Sequence, residues 1–459
     1  MRSRFVPRAI GLLMAGLLAM IAMPSAALAA PGDQLWAAKY HGPGNHDDIG
    51  QAVVTSPDGS TVFITGETFD NGGYLTIAYD AATGRQLWLQ KLMGSRRSNS
   101  YGTAIAVGPM GGRVYVTGVL GNRHGYDFGT IAYDATTGAQ VWLERYDGPS
   151  GGTDEAWSVL VSPNGHTVYV TGESDGPNGS AATTIAYDSK TGTQRWISRQ
   201  QFRRHDTTSV ALALSSDGSR LYATGWEGGP SREDFYTVAY DTAGGAVVWT
   251  ARYDGPADGL DEASKVALSP DGGTVIVVGE SASPPRNPDI VTIAYDAATG
   301  SPRWLRRLDL GINDYPSDLA MSPSGATVAV TGSIHPTTDW DVVTTVYDTD
   351  TGSTVWFRRY DGSTSGDDLS AAAAYSPSGD TLYVVGQTGQ GEHSKFLTIA
   401  YDAGNGVKRW LRRSANVGPF PEAQADDVVP APDGSRVYVT GARWVNAINA
   451  NVLTIAYEA

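Results

Sequence analysis

A segment of thirteen residues recurs along this chain of 459 residues. "TIAYDAATGRQLW", ending at Trp88, returns as "TIAYDATTGAQVW", ending at Trp142, and five further segments repeat the pattern with small changes. The motif tyrosine occurs eight times, at intervals of 52 to 56 residues: Tyr79, Tyr133, Tyr187, Tyr240, Tyr295, Tyr347, Tyr401 and Tyr457. The period predicts one repeat domain, residues 30–459, with no room for a second domain.

Each repeat contains four segments with the apolar pattern of β-strands. One repeat reads "WSVLVS", "TVYVTG", "TTIAYD" and "QRWISR", and turns such as "PNG" and "SKTG" separate these segments. A second series of eight residues, all glycine, closes the second segment: Gly66, Gly118, Gly172, Gly225, Gly279, Gly332, Gly386 and Gly441. The pattern predicts an all-β, eight-bladed β-propeller with four antiparallel strands per blade. A β-solenoid is the alternative, although its repeats are usually shorter.

The tryptophans predict how the ring closes. Eight of them follow the repeat: Trp36, Trp88, Trp142, Trp196, Trp249, Trp304, Trp356 and Trp410. The series is offset, because Trp36 has no motif before it and Tyr457 has no tryptophan after it. The segment from Asp33 to Tyr40 is therefore predicted to supply the outer strand of the blade formed by residues 423–457, which would leave no unpaired sheet edge. Each tryptophan is expected to pack its ring against the neighbouring blade.

The spacing A-x-D-x-x-T-G-x-x-x-W resembles the tryptophan-docking motif of the PQQ-like repeat family, the eight-bladed propellers of the quinoprotein alcohol dehydrogenase type. The spacing is complete in four units: Ala78 to Trp88, Ala132 to Trp142, Ala186 to Trp196 and Ala294 to Trp304. Three units depart from it at one position each, with Gly244, Val346 and Asn405, and the split eighth unit has Glu458 in place of Asp. The resemblance implies docking of each tryptophan on the next blade. The units are also similar to the SBBP-type propeller repeats of bacterial exported proteins, a family commonly taken as seven-bladed.

The resemblance raises the question of a quinone cofactor. The quinone-binding members of the family carry adjacent cysteines over the cofactor, and a Glu, an Asn and an Asp around a calcium ion. This chain contains no cysteine, and none of the calcium-binding positions can be matched. The sequence therefore favours a propeller without bound quinone and leaves PQQ or calcium as open alternatives.

Two series of aspartates recur in part of the repeats. The first stands eight residues before the "SP" of the first turn: Asp48, Asp154, Asp261, Asp314 and Asp368. At the mouth of the central channel these carboxylates could hold a hard cation such as calcium. The favoured alternative is that each Asp caps its own loop. The second series is attributed to local turn chemistry, because it occurs in only half of the blades: Asp127, Asp234, Asp289 and Asp341.

The loops after each "TG" differ in length and composition, and binding specificity is expected there. His124, His335 and His393 are candidate acid-base groups or ligands, although isolated loop histidines are more often solvated. The sequence contains no recognisable phosphate loop, G-x-S-x-G motif or paired-carboxylate signature, so it identifies no catalytic residue.

The first 29 residues have the pattern of a secretory signal peptide. Arg2, Arg4 and Arg8 precede an apolar run, and the small residues from Ala27 to Ala29 supply a cleavage pattern. The run is too short to span a bilayer, so no transmembrane segment is expected in the mature chain, and an uncleaved anchor is the alternative. The formal net charge of −15 argues against a nucleic-acid partner, which would require a basic surface.

These patterns together favour an exported, monomeric binding or scaffold protein, secreted or held at the cell envelope. Its ligand would be a protein, a glycan or a small molecule on the loop face. The first alternative is an enzyme: a PQQ-dependent dehydrogenase, or a lyase or hydrolase that uses the carboxylates at the channel mouth. The second alternative is an assembly role at the cell envelope.

Overall fold

The computed structural model describes residues 29–459, apart from residues 45, 70–71, 95–99, 123–124, 202–205, 230–231, 258, 284–286, 312, 337–338, 363–365, 390–392, 415–421 and 447–448. The described residues form 32 strands in eight four-stranded antiparallel sheets. The predicted eight-bladed β-propeller is therefore confirmed. The predicted signal peptide, residues 1–29, lies outside the described residues except for Ala29. Within the described part of the chain, no helix is long and apolar enough to cross a membrane.

Blades 1 to 7 each take four consecutive strands, and blade 8 is completed by the first strand of the chain. The strands of the first half are β1 (Gln34–Tyr40), β2 (Asp48–Thr55), β3 (Thr61–Thr68), β4 (Gly73–Asp80), β5 (Gln86–Met93), β6 (Tyr101–Val107), β7 (Arg113–Gly121), β8 (Tyr126–Asp134), β9 (Gln140–Tyr146), β10 (Asp154–Val161), β11 (Thr167–Ser174), β12 (Ala181–Asp188), β13 (Gln194–Gln200), β14 (Asp206–Leu214), β15 (Arg220–Gly229), β16 (Arg232–Asp241) and β17 (Val247–Tyr253). Those of the second half are β18 (Asp261–Leu268), β19 (Thr274–Ser283), β20 (Asn287–Asp296), β21 (Pro302–Leu308), β22 (Asn313–Met321), β23 (Thr327–His335), β24 (Asp341–Asp348), β25 (Thr354–Tyr360), β26 (Asp368–Tyr375), β27 (Thr381–Thr388), β28 (Lys395–Asp402), β29 (Lys408–Arg413), β30 (Ala423–Pro430), β31 (Arg436–Asn446) and β32 (Asn449–Glu458).

The position of each strand within its blade explains its sequence pattern. The third strand β12 reads AATTIAYD and is buried at every residue except the last, because neighbouring blades cover both of its faces. The outer strand β13 reads QRWISRQ, and only Trp196 in it is buried. The middle strands are therefore almost continuously apolar or small, whereas the outer strands keep a single large apolar residue.

The ring closes as the sequence predicts. Strand β1 pairs antiparallel with β32, with Trp36 opposite Ala456, in a sheet of the order β1-β32-β31-β30. The inner strands β2, β6, β10, β14, β18, β22, β26 and β30 contact one another in sequence, and β30 contacts β2 in turn. The two ends of the described chain thus meet in one blade, where β1 covers the edge of β32.

Each tryptophan of the series lies at a seam between two blades. The Trp88 indole donates its Nε1–H to the carbonyl oxygen of Ala135 in the next blade, at 2.9 Å. Its ring also covers Gly138, where an added Cβ would lie 2.7 Å from the indole. The same contact between an indole and a glycine occurs at every seam: Trp36 on Gly84, Trp88 on Gly138, Trp142 on Gly192, Trp196 on Gly245, Trp249 on Gly300, Trp304 on Gly352, Trp356 on Gly406 and Trp410 on Gly32. How much these contacts stabilise the ring stays a prediction.

Candidate functional site

All inner strands start at the same end of the ring, where the variable loops surround the opening of the central channel. We call this end the mouth. It is defined by cross-strand pairs that occupy the same register position in each blade: Ile49 with Glu67, Tyr101 with Val119, Glu155 with Glu173, Thr208 with Trp226, Glu262 with Glu280, Tyr315 with Ser333, Leu369 with Gln387, and Gln424 with Ala442.

An aromatic pocket occupies the part of the mouth formed by blades 6 to 8. Its volume is about 340 Å³, and its lining includes Tyr315, Trp340, Leu369, Gln387 and Gln424. The rings of Trp340 and Tyr315 lie 5.6 Å apart, centre to centre, with a tilt of 33°. The pocket therefore offers a flat aromatic wall beside two side-chain amides, a combination that binds ligands with both apolar and polar parts.

Carboxylates occupy the opposite part of the mouth, on blades 3 to 5. Glu155 lies opposite Glu173, and Glu262 lies opposite Glu280. Burial, and next the charge of Glu262, raise the pKa of Glu280 to about 7. Burial, and next the hydrogen bond that the protonated Glu233 donates to Glu262, raise the pKa of Glu233 to about 8. Crowded and partly desolvated carboxyl groups of this kind are stabilised by an incoming cation.

Tyr101 and Tyr315 join these carboxylates to Glu67 on blade 1 and to the aromatic pocket, in an arc around the mouth. Glu67 on blade 1 is only 8% exposed, and burial, followed by the charge of Asp47, raises its pKa to about 7. The pKa of Tyr101 on blade 2 is raised by burial and then by Glu155 and Glu67. The pKa of Tyr315 in the aromatic pocket is raised by burial and then by Glu280. The arc thus runs from blade 1 to blade 6.

The first aspartate series lies at the start of the inner strands, beneath the loops of the mouth. All five members are buried. Each accepts a hydrogen bond of 2.5 to 2.7 Å from a backbone N–H earlier in its own loop; the donors are Gly42, Gly148, Gly255, Leu310 and Gly362 for Asp48, Asp154, Asp261, Asp314 and Asp368, respectively. This is the loop-capping geometry that the sequence favours.

In the structure, the aspartates of the second series lie beside those of the first series. Asp127, Asp234, Asp289 and Asp341 each group with one aspartate of the first series and with a third aspartate. Sequence reasoning missed this third set, although each member follows a seam tryptophan by five residues: Asp147, Asp254, Asp309 and Asp361. Four of the first-series aspartates therefore belong to four separate groups rather than to one common ring.

The glutamates of the mouth were also missed by sequence reasoning. Glu67, Glu173 and Glu280 each directly follow a member of the recurring glycine series, so their spacing is a signal that could have found them. Of the candidate histidines, His335 is half-buried with its ring 5.0 Å from that of Trp340, and His393 is exposed. His124 lies outside the described residues.

The quinone that the family resemblance suggests does not suit this mouth. PQQ is a planar tricarboxylate, so its site must supply cations or hydrogen-bond donors. Glu155, Glu173, Glu262 and Glu280 instead place negative charge around the opening, and the chain has no cysteine to lie over the ring. The described residues of the mouth therefore do not fit PQQ.

Several solved propellers have a similar fold. Sqt1 from Chaetomium thermophilum matches with a TM-score of 0.60 and 16% identity, over 93% of this chain and 98% of that one. The C-terminal WD40 domain of Sif2 matches with a TM-score of 0.59 and 12% identity, over 94% and 99%. The quinohemoprotein alcohol dehydrogenase ADHIIG from Pseudomonas putida HK5 matches with a TM-score of 0.58 and 14% identity, over 93% and 76%. Identities this low show a shared fold alone.

The comparison of sequences identifies the family. No curated protein matches the chain significantly. Residues 25–229 and 185–440 both match the family model described as outer membrane protein assembly factor BamB. These two spans overlap and together cover most of the propeller, whose repeats and eight blades agree with that assignment. The chain therefore belongs to the PQQ-like β-propeller family that this model describes.

Proposed function

We propose that the chain is an exported binding or scaffold protein that holds no quinone, and that its mouth binds a cationic segment of a partner protein. The observation that carries the proposal is the single surface formed by the arc of half-buried carboxylates and the aromatic pocket. Export is supported by the signal-peptide pattern of residues 1–29.

The chemistry of the two parts of the mouth is complementary to a basic peptide. A Lys or Arg side chain can pair with Glu155 or Glu280 and thereby relieve the repulsion between neighbouring carboxylates. The flat rings of Tyr315 and Trp340 can receive an aromatic or cationic side chain. The amides of Gln387 and Gln424 can hydrogen-bond to a peptide backbone.

Two comparisons support a protein partner. Sqt1, whose fold is similar, has been solved bound to the N-terminus of the ribosomal protein L10, with a TM-score of 0.58 and 16% identity to this chain. The matching family model is described as outer membrane protein assembly factor BamB, and this description agrees with an assembly role at the cell envelope. The acidic character of the chain, with a formal net charge of −15, favours a basic partner and disfavours nucleic acid.

The test is peptide binding by residues 30–459. A fluorescent peptide rich in Lys and aromatic residues is titrated against the protein, and a peptide with Glu in place of Lys is the matched probe. Binding of the basic peptide alone is expected, and it should weaken with added salt. The double variant Glu155→Gln, Glu280→Gln should raise the Kd at least about tenfold, because it removes charges at partly buried positions. Glu144→Gln, on the outer strand β9, is the control and should leave the Kd unchanged. Equal binding of both peptides would refute the proposal.

An enzymatic function has one observation in its favour. Glu233 and Glu262 are close enough to share a proton, and the pKa of Glu233 is raised to about 8. Two neighbouring carboxyl groups, of which one retains its proton near neutral pH, can act as acid and base in a hydrolase or a lyase. A substrate screen with Glu233→Gln and Glu262→Gln as controls tests this role. A bell-shaped pH profile that both variants abolish would establish it over the binding proposal.

The absence of quinone chemistry has its own test. The protein is mixed with PQQ and calcium, and dye reduction is followed with alcohols and sugars. We expect neither a quinone absorbance nor turnover, because the mouth repels a tricarboxylate. Turnover that depends on PQQ would show that the chain is a dehydrogenase.

A further inference from the structure

Four seams of the ring each bring together three aspartates. In every group, the carboxylates offer oxygen atoms that lie within 4.8 Å of one another. We call these groups the seam triads: Asp127, Asp147 and Asp154; Asp234, Asp254 and Asp261; Asp289, Asp309 and Asp314; Asp341, Asp361 and Asp368.

Each triad is assembled from two blades. In the triad between blades 5 and 6, Asp289 lies near the start of the third strand β20, and Asp309 follows the outer strand β21 of the same blade. Asp314 lies near the start of the inner strand β22 of the next blade. The other triads join blades 2 and 3, 4 and 5, and 6 and 7 in the same way. A ligand shared by a triad would therefore connect two blades.

The residues at the three triad positions change together from one seam to the next. If each aspartate only stabilised its own turn, the three positions should vary independently. Instead, four seams have Asp at all three positions, and three seams have Asp at none of them. The residues that replace Asp in these three seams are Gly73, Met93 and Ser100; Ala181, Gln201 and Thr207; and Lys395, Ala415 and Ala423. Only the closing seam is mixed, with Asn451, His41 and Asp48. The pattern indicates one shared task for each triad.

The buried carboxylates of the triads have oxygens that the described residues leave unsatisfied. The Oδ2 atom of Asp314 accepts the backbone N–H of Leu310 at 2.6 Å. Its Oδ1 atom has no hydrogen-bond partner among the described residues, although Asp314 is 0% exposed. The Oδ1 atoms of Asp154, Asp261 and Asp368 also lack a hydrogen-bond partner of good geometry among the described residues, although the hydroxyl groups of Ser174, Ser281 and Thr388 lie near these carboxyls. A buried charged oxygen without a partner is costly, and it indicates a ligand that the protein chain itself does not supply.

The charge of the triads suits a divalent ion. Arg307 pairs with Asp289 at 2.7 Å, Arg145 pairs with Asp127 at 3.0 Å, and Arg359 pairs with Asp341 at 2.5 Å. One arginine against three carboxylates leaves two negative charges in each of these triads.

We propose that each seam triad binds one divalent cation, with calcium preferred, and that the four ions fasten neighbouring blades together. Carboxylate oxygens are the ligands of such hard cations. Each triad includes an exposed or half-exposed member, so water can complete the shell. Calcium accepts a variable set of six to eight oxygens and flexible geometry, whereas magnesium demands a near-ideal octahedron, so calcium is the expected ion.

The test counts the sites on the complete mature protein. Chelator-treated protein is titrated with calcium chloride by calorimetry, and about four ions per chain are expected. Asp147→Asn and Asp309→Asn should each remove one ion, and the double variant two. These members are chosen because both are exposed and make no side-chain hydrogen bond or ion pair that the described residues show, so the variants should fold. Asp350→Asn, which removes the same charge from an exposed turn outside the triads, should retain all four ions.

Thermal unfolding gives a second readout. Calcium should raise the midpoint of the wild type, because a ligand that binds only the folded state stabilises it, and the rise should be smaller in the double variant. Magnesium should raise it less at equal concentration. Stoichiometric binding of no ion or of a single ion would overturn the proposal, as would a loss of sites in Asp350→Asn equal to that in Asp309→Asn. Equal binding of magnesium would overturn the preference for calcium.

Discussion

At each seam between two blades, a glycine with positive φ lies beneath the indole of the seam tryptophan. Gly352 has a φ of 67°, and an added Cβ would lie 2.6 Å from the Trp304 ring. The position therefore has two separate reasons to be glycine: the turn requires a left-handed backbone, and the indole leaves no space for a methyl group. The first reason also holds at Gly272, with a φ of 74°, where nothing lies within 4 Å of an added Cβ.

The pair of glycines separates backbone strain from packing. Gly272→Ala should lower the free energy of unfolding by roughly 1–2 kcal/mol, the cost of a left-handed non-glycine residue. Gly352→Ala should lower it by a further 1–3 kcal/mol, roughly, because the methyl group overpacks the seam. Urea denaturation of both variants measures the difference. An equal loss in the two would show that the indole contact does not constrain the turn.

Substitution of a seam tryptophan tests its predicted docking role. Trp304 is buried, and its Nε1–H donates to the carbonyl oxygen of Thr349 at 2.8 Å. Trp304→Phe keeps an aromatic ring but leaves that carbonyl without its donor, so we expect a loss of about 1–3 kcal/mol in the free energy of unfolding. Trp340→Phe, in the mouth, is the matched substitution, and it should alter peptide binding more than stability. Retention of full stability by Trp304→Phe would contradict the docking role.

The second and third strands hold carboxyl groups whose protonated form is favoured by burial. Their folded-state pKa values exceed the ordinary value of 4.5, at about 7 for Glu67 and Glu280 and about 8 for Glu233. A raised pKa means that the native state holds the proton longer than the unfolded state does. The stabilisation is thus fully present below the unfolded-state pKa and is lost as the pH rises through the folded-state pKa. The turn aspartates act in the other direction, but only in strong acid: the pKa of Asp188 is lowered to about 2, chiefly by Arg195.

These strands predict how stability depends on pH. In calcium-free buffer, the thermal midpoint should fall as the pH rises from about 5 to about 8, because the mouth glutamates then lose their protons in the folded state. Glu67→Gln should flatten part of this fall, since an amide does not titrate. A midpoint that rises over the same interval would contradict the prediction.

Over the whole molecule, eight blades form a closed ring only because the first strand returns to the last sheet. Strand β1 pairs with β32 over residues 34–40, and Trp36 donates to the carbonyl oxygen of Ala81 in blade 1 at 3.0 Å. One short strand therefore completes blade 8 and also makes the seam to blade 1. Its removal would expose the edge of β32, and open sheet edges associate.

Truncation of the first strand tests the closure. A chain starting at residue 42 should unfold at a lower temperature than residues 30–459, and it should associate in a concentration-dependent way through the open edge of β32. A synthetic peptide of residues 31–41, supplied in trans, should restore both properties, and the same peptide with Trp36→Ala should restore them less. Light scattering after size exclusion and thermal unfolding are the measurements. A monomeric truncated chain of unchanged stability would contradict the closure.

The fold could be predicted from the sequence because its determinants are local and repeated. Short segments such as "TTIAYD" and "QRWISR" are enough to predict a buried middle strand and an outer strand, respectively. The unmatched Trp36 and Tyr457 predict which blade closes the ring. The loop-capping role of Asp154 was also predictable, because its partner Gly148 lies six residues away in the same loop. Eight repetitions of one pattern leave little freedom in the architecture.

The candidate sites were decided by the tertiary structure. Asp127, Asp147 and Asp154 lie on two blades and meet only when the blades pack. Likewise, the pKa of Glu280 depends on burial and on Glu262, which lies opposite it on another strand. Repetition along the chain determined the strands, their number and the closure of the ring. Proximity and desolvation arise only between packed strands, and so only the folded ring determines which carboxylates share a seam and which surround the mouth.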